Sequence, residues 1–123
     1  MTSVERTREV KEHSCYIGRI VKVAIDRQLG TKHPDHGVEY PVNYGYIPGT
    51  MAADGDELDA YVLGVEVPIN TFDGRVIAMI HRLNDNDDKL IVTDGKNFSN
   101  DEIRAMTRFQ EQWFDSEIVR RPI

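Results

Sequence analysis

The chain has 123 residues and a formal net charge of -6 at pH 7, with 40% of its residues hydrophobic. This length predicts one domain with its own core, and the acidic balance argues against a nucleic-acid binder dominated by phosphate contacts. No apolar run approaches the roughly 18 residues of a membrane-spanning helix, and the N-terminus lacks the apolar stretch of a signal peptide. The single cysteine makes no internal disulfide. We therefore expect a cytoplasmic protein that binds neither nucleic acid nor a membrane.

The first half of the chain is expected to be extended. Residues 1–14 are polar and predict a flexible or helical N-terminal arm. In residues 16–25 (YIGRIVKVAI), apolar and polar side chains alternate from Ile20 onward, which is the period of a half-buried strand. Residues 26–39 contain two glycines and a proline, which predicts a long loop. The aromatic-rich residues 40–47 (YPVNYGYI) are predicted to be extended again.

Further strands are expected in the second half. Residues 58–67, 76–82 and 90–93 are each apolar enough for a strand, and Asp73-Gly74 predicts a turn. The last two of these strands bracket a polar loop, residues 83–89, in a hairpin-like arrangement.

A helix is predicted near the C-terminus. Ser99 is a plausible N-cap, and Glu102 stands three residues on, as in a capping box. Five residues follow with helical spacing and predict a face that packs on the sheet: Ile103, Met106, Phe109, Gln110 and Trp113. Several strands followed by one helix predict a mainly β fold, a small barrel or curled sheet forming a single domain over residues 1–123.

The acidic segment DGDELDA, residues 54–60, is the first candidate for chemistry. Asp54, Asp56 and Asp59 can converge around a tight turn, where each pair at about 4 Å costs roughly 1 kcal/mol in bulk water and about 4 kcal/mol at an effective dielectric near 20. Such a cluster stays solvated, holds protons or binds cations. Mg²⁺ favours carboxylate oxygens, whereas the spacing fails the pattern of an EF-hand calcium loop. The alternative interpretation is a solvated acidic turn.

The segment NDNDDK, residues 84–89, forms a second acidic group with its own lysine. Taken alone, it is typical of a solvated hairpin tip. Together, the two segments can face each other across one pocket and bind two metals about 3.5–4 Å apart, an arrangement that clamps phosphate and activates water. His81 lies in an apolar run and is interpreted as a core or rim residue rather than a ligand.

Aromatic and basic side chains accompany the acidic segments. A tyrosine hydroxyl from Tyr44 or its neighbours can donate to a phosphate oxygen, although core packing is the alternative role for each tyrosine. Arg27 and Lys32 lie in the glycine-containing loop, where they are either solvated or bind a polyanionic substrate.

Three segments in order carry a specific resemblance: YPVNYGYIPGT, DGDELDA and DDKLIV. They resemble the soluble (family I) inorganic pyrophosphatases over roughly residues 40–92. The resemblance implies a small, twisted, OB-like β-barrel with helices packed outside. It also implies hydrolysis of pyrophosphate to two phosphates with two or more Mg²⁺ ions, Mn²⁺ being a possible substitute, and a possible homo-oligomer.

The resemblance also assigns roles to individual residues. Metal ligands are implied at Asp54, Asp59, Asp87 and Asp85. Asp56 is implied as the carboxylate that deprotonates a metal-bound water. Substrate contacts are implied at Tyr44 and Lys89, with Arg27 and Lys32 standing in for the family's basic residues. Tyr40 and Asn43 fit the motif in supporting roles.

The chain departs from the family pattern at two places. The early glutamate, lysine and glutamate of the family have no clear counterpart, although Asp26 can stand in for the first glutamate. A Tyr-Lys pair near the end of the family's C-terminal helix is replaced here by Trp113-Phe114. Three alternatives therefore stay open: a pyrophosphatase-like binding domain with weak activity, a hydrolase of other phosphoanhydrides, and an OB-type nucleic-acid module, which the acidic composition opposes.

Overall fold

The computed structural model describes residues 3–35, 37–50, 56–85 and 87–123. Within these residues the chain forms two helices and six strands. In chain order they are α1 Ser3–Ser14, β1 Ile20–Arg27, β2 Asn43–Ile47, β3 Leu58–Val62, β4 Thr71–Arg82, β5 Asp88–Thr93, α2 Asn100–Glu111 and β6 Ser116–Val119. In the described part of the chain, neither helix is long and apolar enough to cross a membrane.

Five strands close into a barrel. The order is β1-β2-β3-β5-β4, and β4 pairs again with β1, while β6 extends the sheet from β4. All these pairings are antiparallel except that of β3 with β5. The predicted mainly β, barrel-forming single domain with a C-terminal helix is thus confirmed.

The two faces of the barrel wall carry separate apolar clusters. Every one of the five barrel strands contributes to the first, so we place it inside the barrel and call it the inner cluster; it includes Val23, Ile47, Leu58, Val76 and Leu90. The outer cluster lies between the wall and α2, and includes Tyr61, Ile80, Ile91 and Ile103. Because side chains alternate along a strand, neighbouring residues at a strand end belong to different environments.

Helix α2 begins as the sequence predicts. The Ser99 side chain accepts a hydrogen bond from the Glu102 backbone N–H, and the Glu102 side chain accepts one from the Ser99 N–H, which completes the capping box. Ile103 is buried and Phe109 is partly buried against the outer cluster. Trp113 lies beyond the helix end and is 49% exposed, so the prediction that it packs on the sheet is wrong.

Two other sequence predictions also fail. Asp73-Gly74 does not form a turn, because both residues lie inside the long strand β4 and pair with Lys22 and Val21 of β1. Strand β3 ends at Val62, five residues before the predicted end at Val67. Strand β6 was not expected, since a short strand on the rim of a sheet carries little periodic signal.

A close approach between strands requires glycine at position 45. Gly45 of β2 lies against the backbone of Ala24 in β1, and a Cβ atom at this position would overlap the Ala24 carbonyl group. This contact brings β2, and with it Tyr44, close to the end of β1.

Candidate active site

Lys89 is the centre of a polar cluster on the outer side of the barrel. Its Nζ donates to Asp59 Oδ2 at 2.6 Å, to Asp87 Oδ2 at 2.8 Å and to the Tyr44 hydroxyl at 2.9 Å. The parallel pairing of β3 and β5 places Asp59 directly beside Lys89. The structure therefore brings together one residue from each of the predicted acidic segments, joined by the predicted lysine.

The cluster stabilises the charge on Lys89. Burial disfavours an ammonium ion, but Tyr44, Asp87 and Asp59 more than offset it, and the pKa of Lys89 is raised above its ordinary value. Burial raises the pKa of the Tyr44 hydroxyl as well, so this group stays a neutral donor. Two groups able to donate to an anion thus lie within hydrogen-bond distance of each other.

The donor set at this point fits a divalent cation. Asp59 and Asp87 offer carboxylate oxygens, and both side chains are partly open to solvent. Among the described residues there is no group of three or more acidic, histidine or cysteine side chains placed to hold a metal. Mg²⁺ commonly uses only one or two carboxylates, with waters and phosphate completing its shell, so the two carboxylates of Asp59 and Asp87 are enough protein ligands for such an ion.

Three further acidic residues were predicted at the site. Asp54, a predicted metal ligand, lies outside the described residues. Asp56 is described and exposed. Asp85 pairs with Arg82, whose Nη1 is 3.3 Å from Asp85 Oδ2, rather than with Lys89.

A buried pair between Arg82 and Glu111 adjoins the cluster. Arg82 donates from Nε to Glu111 Oε1 at 2.9 Å and from Nη2 to Oε2 at 2.7 Å. The Phe114 ring lies 3.6 Å from the guanidinium carbon, and Asp87 Oδ2 lies 3.7 Å from Nη1. Burial opposes the guanidinium charge, but Glu111 outweighs it and raises the pKa of Arg82. The pair connects α2 to the acidic loop.

Tyrosine and glutamine side chains extend this network. Tyr61 donates to Glu111 Oε2 at 2.6 Å, and Gln110 Nε2 donates to the Tyr61 hydroxyl at 2.8 Å. Tyr40 donates to Gln110 Oε1 at 3.2 Å. Burial, with Glu111 next, raises the pKa of Tyr61. The side chains that surround the site are therefore fixed by hydrogen bonds across three elements, which favours one arrangement of the pocket walls.

A pocket of about 350 Å³ opens beside Lys89. Of the predicted substrate residues, Arg27, Tyr44 and Lys89 line it, whereas Lys32 does not and is exposed. The other residues that line it are Asp26, His33, Pro34, Asp35, Tyr40, Arg82, Gln110, Trp113 and Phe114. The end of β1, the loop after it and the C-terminal end of α2 thus form the walls.

Asp26 lines this pocket, although the residue as a whole is exposed. Burial raises the pKa of its carboxyl group, with Arg27 opposing the shift and Asp59 adding to it. Asp26 and Lys89 line the same pocket. This position is compatible with the predicted role of Asp26 as a stand-in for a glutamate.

Asn43 links two loops by hydrogen bonds from its side chain. Its Oδ1 accepts from the backbone N–H groups of Leu29 at 3.0 Å and Ile69 at 3.3 Å, and its Nδ2 donates to the Val67 carbonyl at 3.0 Å. One fully buried amide thereby joins the loops after β1 and β3.

Sequence reasoning missed Arg82, Glu111 and Gln110. Arg82 follows an apolar run, and Glu111 lies at the end of a helix among other charges, so both are typical of solvated residues by position. Their pairing joins residues 29 positions apart, and only a three-dimensional argument can supply it. For Gln110, its helical spacing with the apolar residues of α2 was the one sequence signal that it faces the sheet.

The family model described as "Pyrophosphatase: Inorganic pyrophosphatase" matches residues 9–118. The chain belongs to the inorganic pyrophosphatase family. An inorganic pyrophosphatase from Gluconobacter oxydans is 34% identical over 121 residues, which cover 81% of this chain and 70% of that protein. A second, from Ralstonia nicotianae, is 45% identical over 47 residues, covering 35% of this chain and only 27% of that protein.

Solved pyrophosphatase structures share the fold of this family member. The Helicobacter pylori inorganic pyrophosphatase superposes with a TM-score of 0.65 at 18% identity, covering 85% of this chain and 86% of that chain. The Thermus thermophilus enzyme gives 0.58 at 21% identity, with 85% and 83% covered. The two sequence matches cover less of the relatives: this chain spans 27% of the Ralstonia nicotianae protein and 70% of the Gluconobacter oxydans protein.

Proposed function

We propose that this pyrophosphatase-family protein hydrolyses inorganic pyrophosphate to two phosphates in the cytoplasm, with Mg²⁺ as its preferred cofactor and Mn²⁺ as a substitute. The observation that carries the proposal is the contact of Lys89 with Asp59, Asp87 and the Tyr44 hydroxyl at the wall of a pocket. It combines oxygen ligands for a hard cation with donors for phosphate oxygens.

The acidic side chains have distinct tasks in this proposal. Asp59 and Asp87 would hold the divalent ions, with Asp54 and Asp85 as further ligands. When bound, such ions lower the pKa of coordinated water and neutralise phosphate charge. Asp56 would accept the proton of the attacking water through its carboxylate, and its exposed position leaves it accessible to solvent.

The donors of the pocket bind and orient the substrate. Lys89 Nζ and the Tyr44 hydroxyl would donate to oxygens of one phosphoryl group, and Arg27 would bind the other. Phosphoryl transfer depends mainly on such positioning and charge neutralisation. Since Lys32 does not line the pocket, Arg27 is the better-supported of the two cations. The sequence placed Arg27 in a loop, but it is the last residue of β1 and pairs with Tyr44 of β2.

A second candidate is a pyrophosphatase-like binding domain with weak hydrolytic activity. Lys89 already bridges both carboxylates, so a divalent ion has to compete with its ammonium group. If the Lys89 ammonium group keeps Asp59 and Asp87 and excludes the divalent ion, the protein would bind phosphate but hydrolyse pyrophosphate slowly.

The test is phosphate release from pyrophosphate by the purified protein, with Mg²⁺ and with excess chelator. We expect release that requires Mg²⁺ and that Asp56→Asn lowers by about 100- to 10,000-fold, while its urea unfolding curve stays that of the wild type. A folded protein that binds pyrophosphate without releasing phosphate would support the binding domain instead. Wild-type turnover by the Asp56→Asn variant would refute the role of Asp56.

A further inference from the structure

The pocket beside Lys89 has two chemically different parts. Arg27, Tyr44 and Lys89 supply donors to an anion. Tyr44 and Lys89 belong to the acidic cluster, and Arg27 pairs with Tyr44 across β1 and β2. His33, Trp113 and Phe114 supply aromatic rings to the same pocket. Inorganic pyrophosphate consists of phosphoryl oxygens alone, so the aromatic part offers it no complementary surface.

Two rings of the aromatic part are held in place by contacts with neighbouring side chains. His33 stacks on the buried Tyr40 with ring centroids 5.8 Å apart and planes 8° from parallel. Phe114 is held against the Arg82 guanidinium. Between α2 and β6, Trp113 lines the pocket while remaining 49% exposed. Two of the three rings are thus held by packing, and the third, Trp113, lines the pocket with about half of its surface exposed.

Size and polarity point to a ligand larger than pyrophosphate. The volume of about 350 Å³ lies within the range of pockets that enclose organic ligands of moderate size. Asp26 and Asp35 also line the pocket, and their carboxylates are acceptors for hydroxyl groups such as those of a sugar. Phosphate donors, hydroxyl acceptors and an exposed ring are the three parts that a nucleotide requires.

We propose that this pocket binds nucleoside diphosphates, with the base stacked on Trp113 and the phosphates directed to Lys89, Tyr44 and Arg27. The placement of the phosphates rests on the proposed function. Hydrolysis would form one P–O bond between water and the attacked phosphorus and break the bridging P–O bond. The products are a nucleoside monophosphate, phosphate and one proton.

Trp113 is the single tryptophan of the chain, so its fluorescence reports on this position alone. We would titrate the full-length protein in Mg²⁺ buffer with ADP, pyrophosphate and inorganic phosphate, correcting for absorption by the adenine ring. The expected result is a saturable change with ADP that is distinct from any change with pyrophosphate, because only ADP places a ring on the indole.

Variants at Trp113 separate stacking from general damage. Stacking of a base on an aromatic side chain corresponds to about 5- to 150-fold in affinity. We expect Trp113→Ala to weaken ADP binding, measured by calorimetry, by that factor and pyrophosphate binding by less than about two-fold. Trp113→Phe should restore most of the ADP affinity. Ile20→Ala, which removes another exposed apolar side chain, should change neither.

Two results would overturn the proposal. One is the absence of saturable ADP binding by the folded wild-type protein; the other is an equal loss of ADP and pyrophosphate affinity in Trp113→Ala. Its failure is distinguishable from failure of the proposed function: Mg²⁺-dependent pyrophosphate hydrolysis without ADP binding refutes only the nucleotide site. ADP binding without pyrophosphate hydrolysis refutes only the pyrophosphatase activity.

Discussion

Asp87 and Asp88 are neighbours in the chain but lie in opposite environments. Asp87 is 21% exposed and contacts Lys89 at 2.8 Å beside the pocket. Asp88 has no exposed side-chain surface and accepts from two histidines, with Nδ1 of His13 at 2.7 Å and Nδ1 of His81 at 2.9 Å. One carboxylate is available for a ligand, and the other is enclosed by protein.

Strand geometry explains the difference. Asp88 starts β5 and shares the face of Leu90 and Val92 in the inner cluster, whereas Lys89 points to the outer side with Ile91. The histidine from α1 covers Asp88, so this side joins the first helix to the barrel. The comparison shows that acidic composition alone does not locate a candidate metal site, because strand alternation decides which carboxylate contacts Lys89 and which one is enclosed.

Removal of Glu111 should have the largest effect on stability. Glu111→Ala leaves Arg82 buried without its bidentate partner, and loss of one member of a buried ion pair costs about 3–5 kcal/mol. Urea unfolding followed by circular dichroism measures the change. Glu117→Gln, on the exposed side of β6, serves as the control and should stay within about 0.5 kcal/mol of wild type. Equal stability of both variants would show that the pair contributes nothing.

Lys89→Met should separate metal binding from substrate binding on the pocket side. Loss of the ammonium donor is expected to lower kcat/KM for pyrophosphate by about 100- to 1,000-fold, as for other donors to a developing anion. The same change removes the competitor for Asp59 and Asp87, so Mn²⁺ affinity measured by equilibrium dialysis should rise. A variant with lower Mn²⁺ affinity would contradict the view that lysine and metal share these carboxylates.

His13→Ala tests the enclosed side with a smaller expected effect. It removes one of the two histidines that contact Asp88 and should cost about 1–3 kcal/mol, the range for a buried polar group that loses a hydrogen bond. Phosphate release by the folded variant should be unchanged. Lys11→Ala changes an exposed residue of the same helix and is the matched control. A loss of turnover in His13→Ala at a temperature where it is fully folded would contradict the view that the enclosed side around Asp88 acts on stability alone.

Local signals allowed much of the barrel to be predicted from sequence. Alternation in β1 and β3 and the capping box at Ser99 depend on near neighbours, and they gave the right element types. The motif resemblance likewise points to Lys89, Tyr44 and Asp59, and the structure shows Lys89 in contact with the other two.

Other features depend on residues far apart in the chain. The Arg82–Glu111 pair and the joining of loops by Asn43 have no local pattern. Asp73-Gly74 has strong turn propensity, but pairing with β1 keeps it in a strand, since tertiary context overrides propensity. Trp113 follows the helical spacing of apolar residues, yet α2 ends at Glu111. The spacing of apolar residues alone does not show at which residue a helix ends.

The most direct test of the central claim is Mg²⁺-dependent phosphate release by Asp87→Asn and Asp88→Asn, assayed side by side at a temperature where both are folded. The account predicts that Asp87→Asn loses at least about 100-fold in kcat/KM with little change in unfolding free energy. Asp88→Asn should keep near wild-type turnover but lose about 1–3 kcal/mol of stability. Full turnover by Asp87→Asn, or an equal loss in folded Asp88→Asn, would contradict the assignment of the pocket side of β5 as the catalytic side.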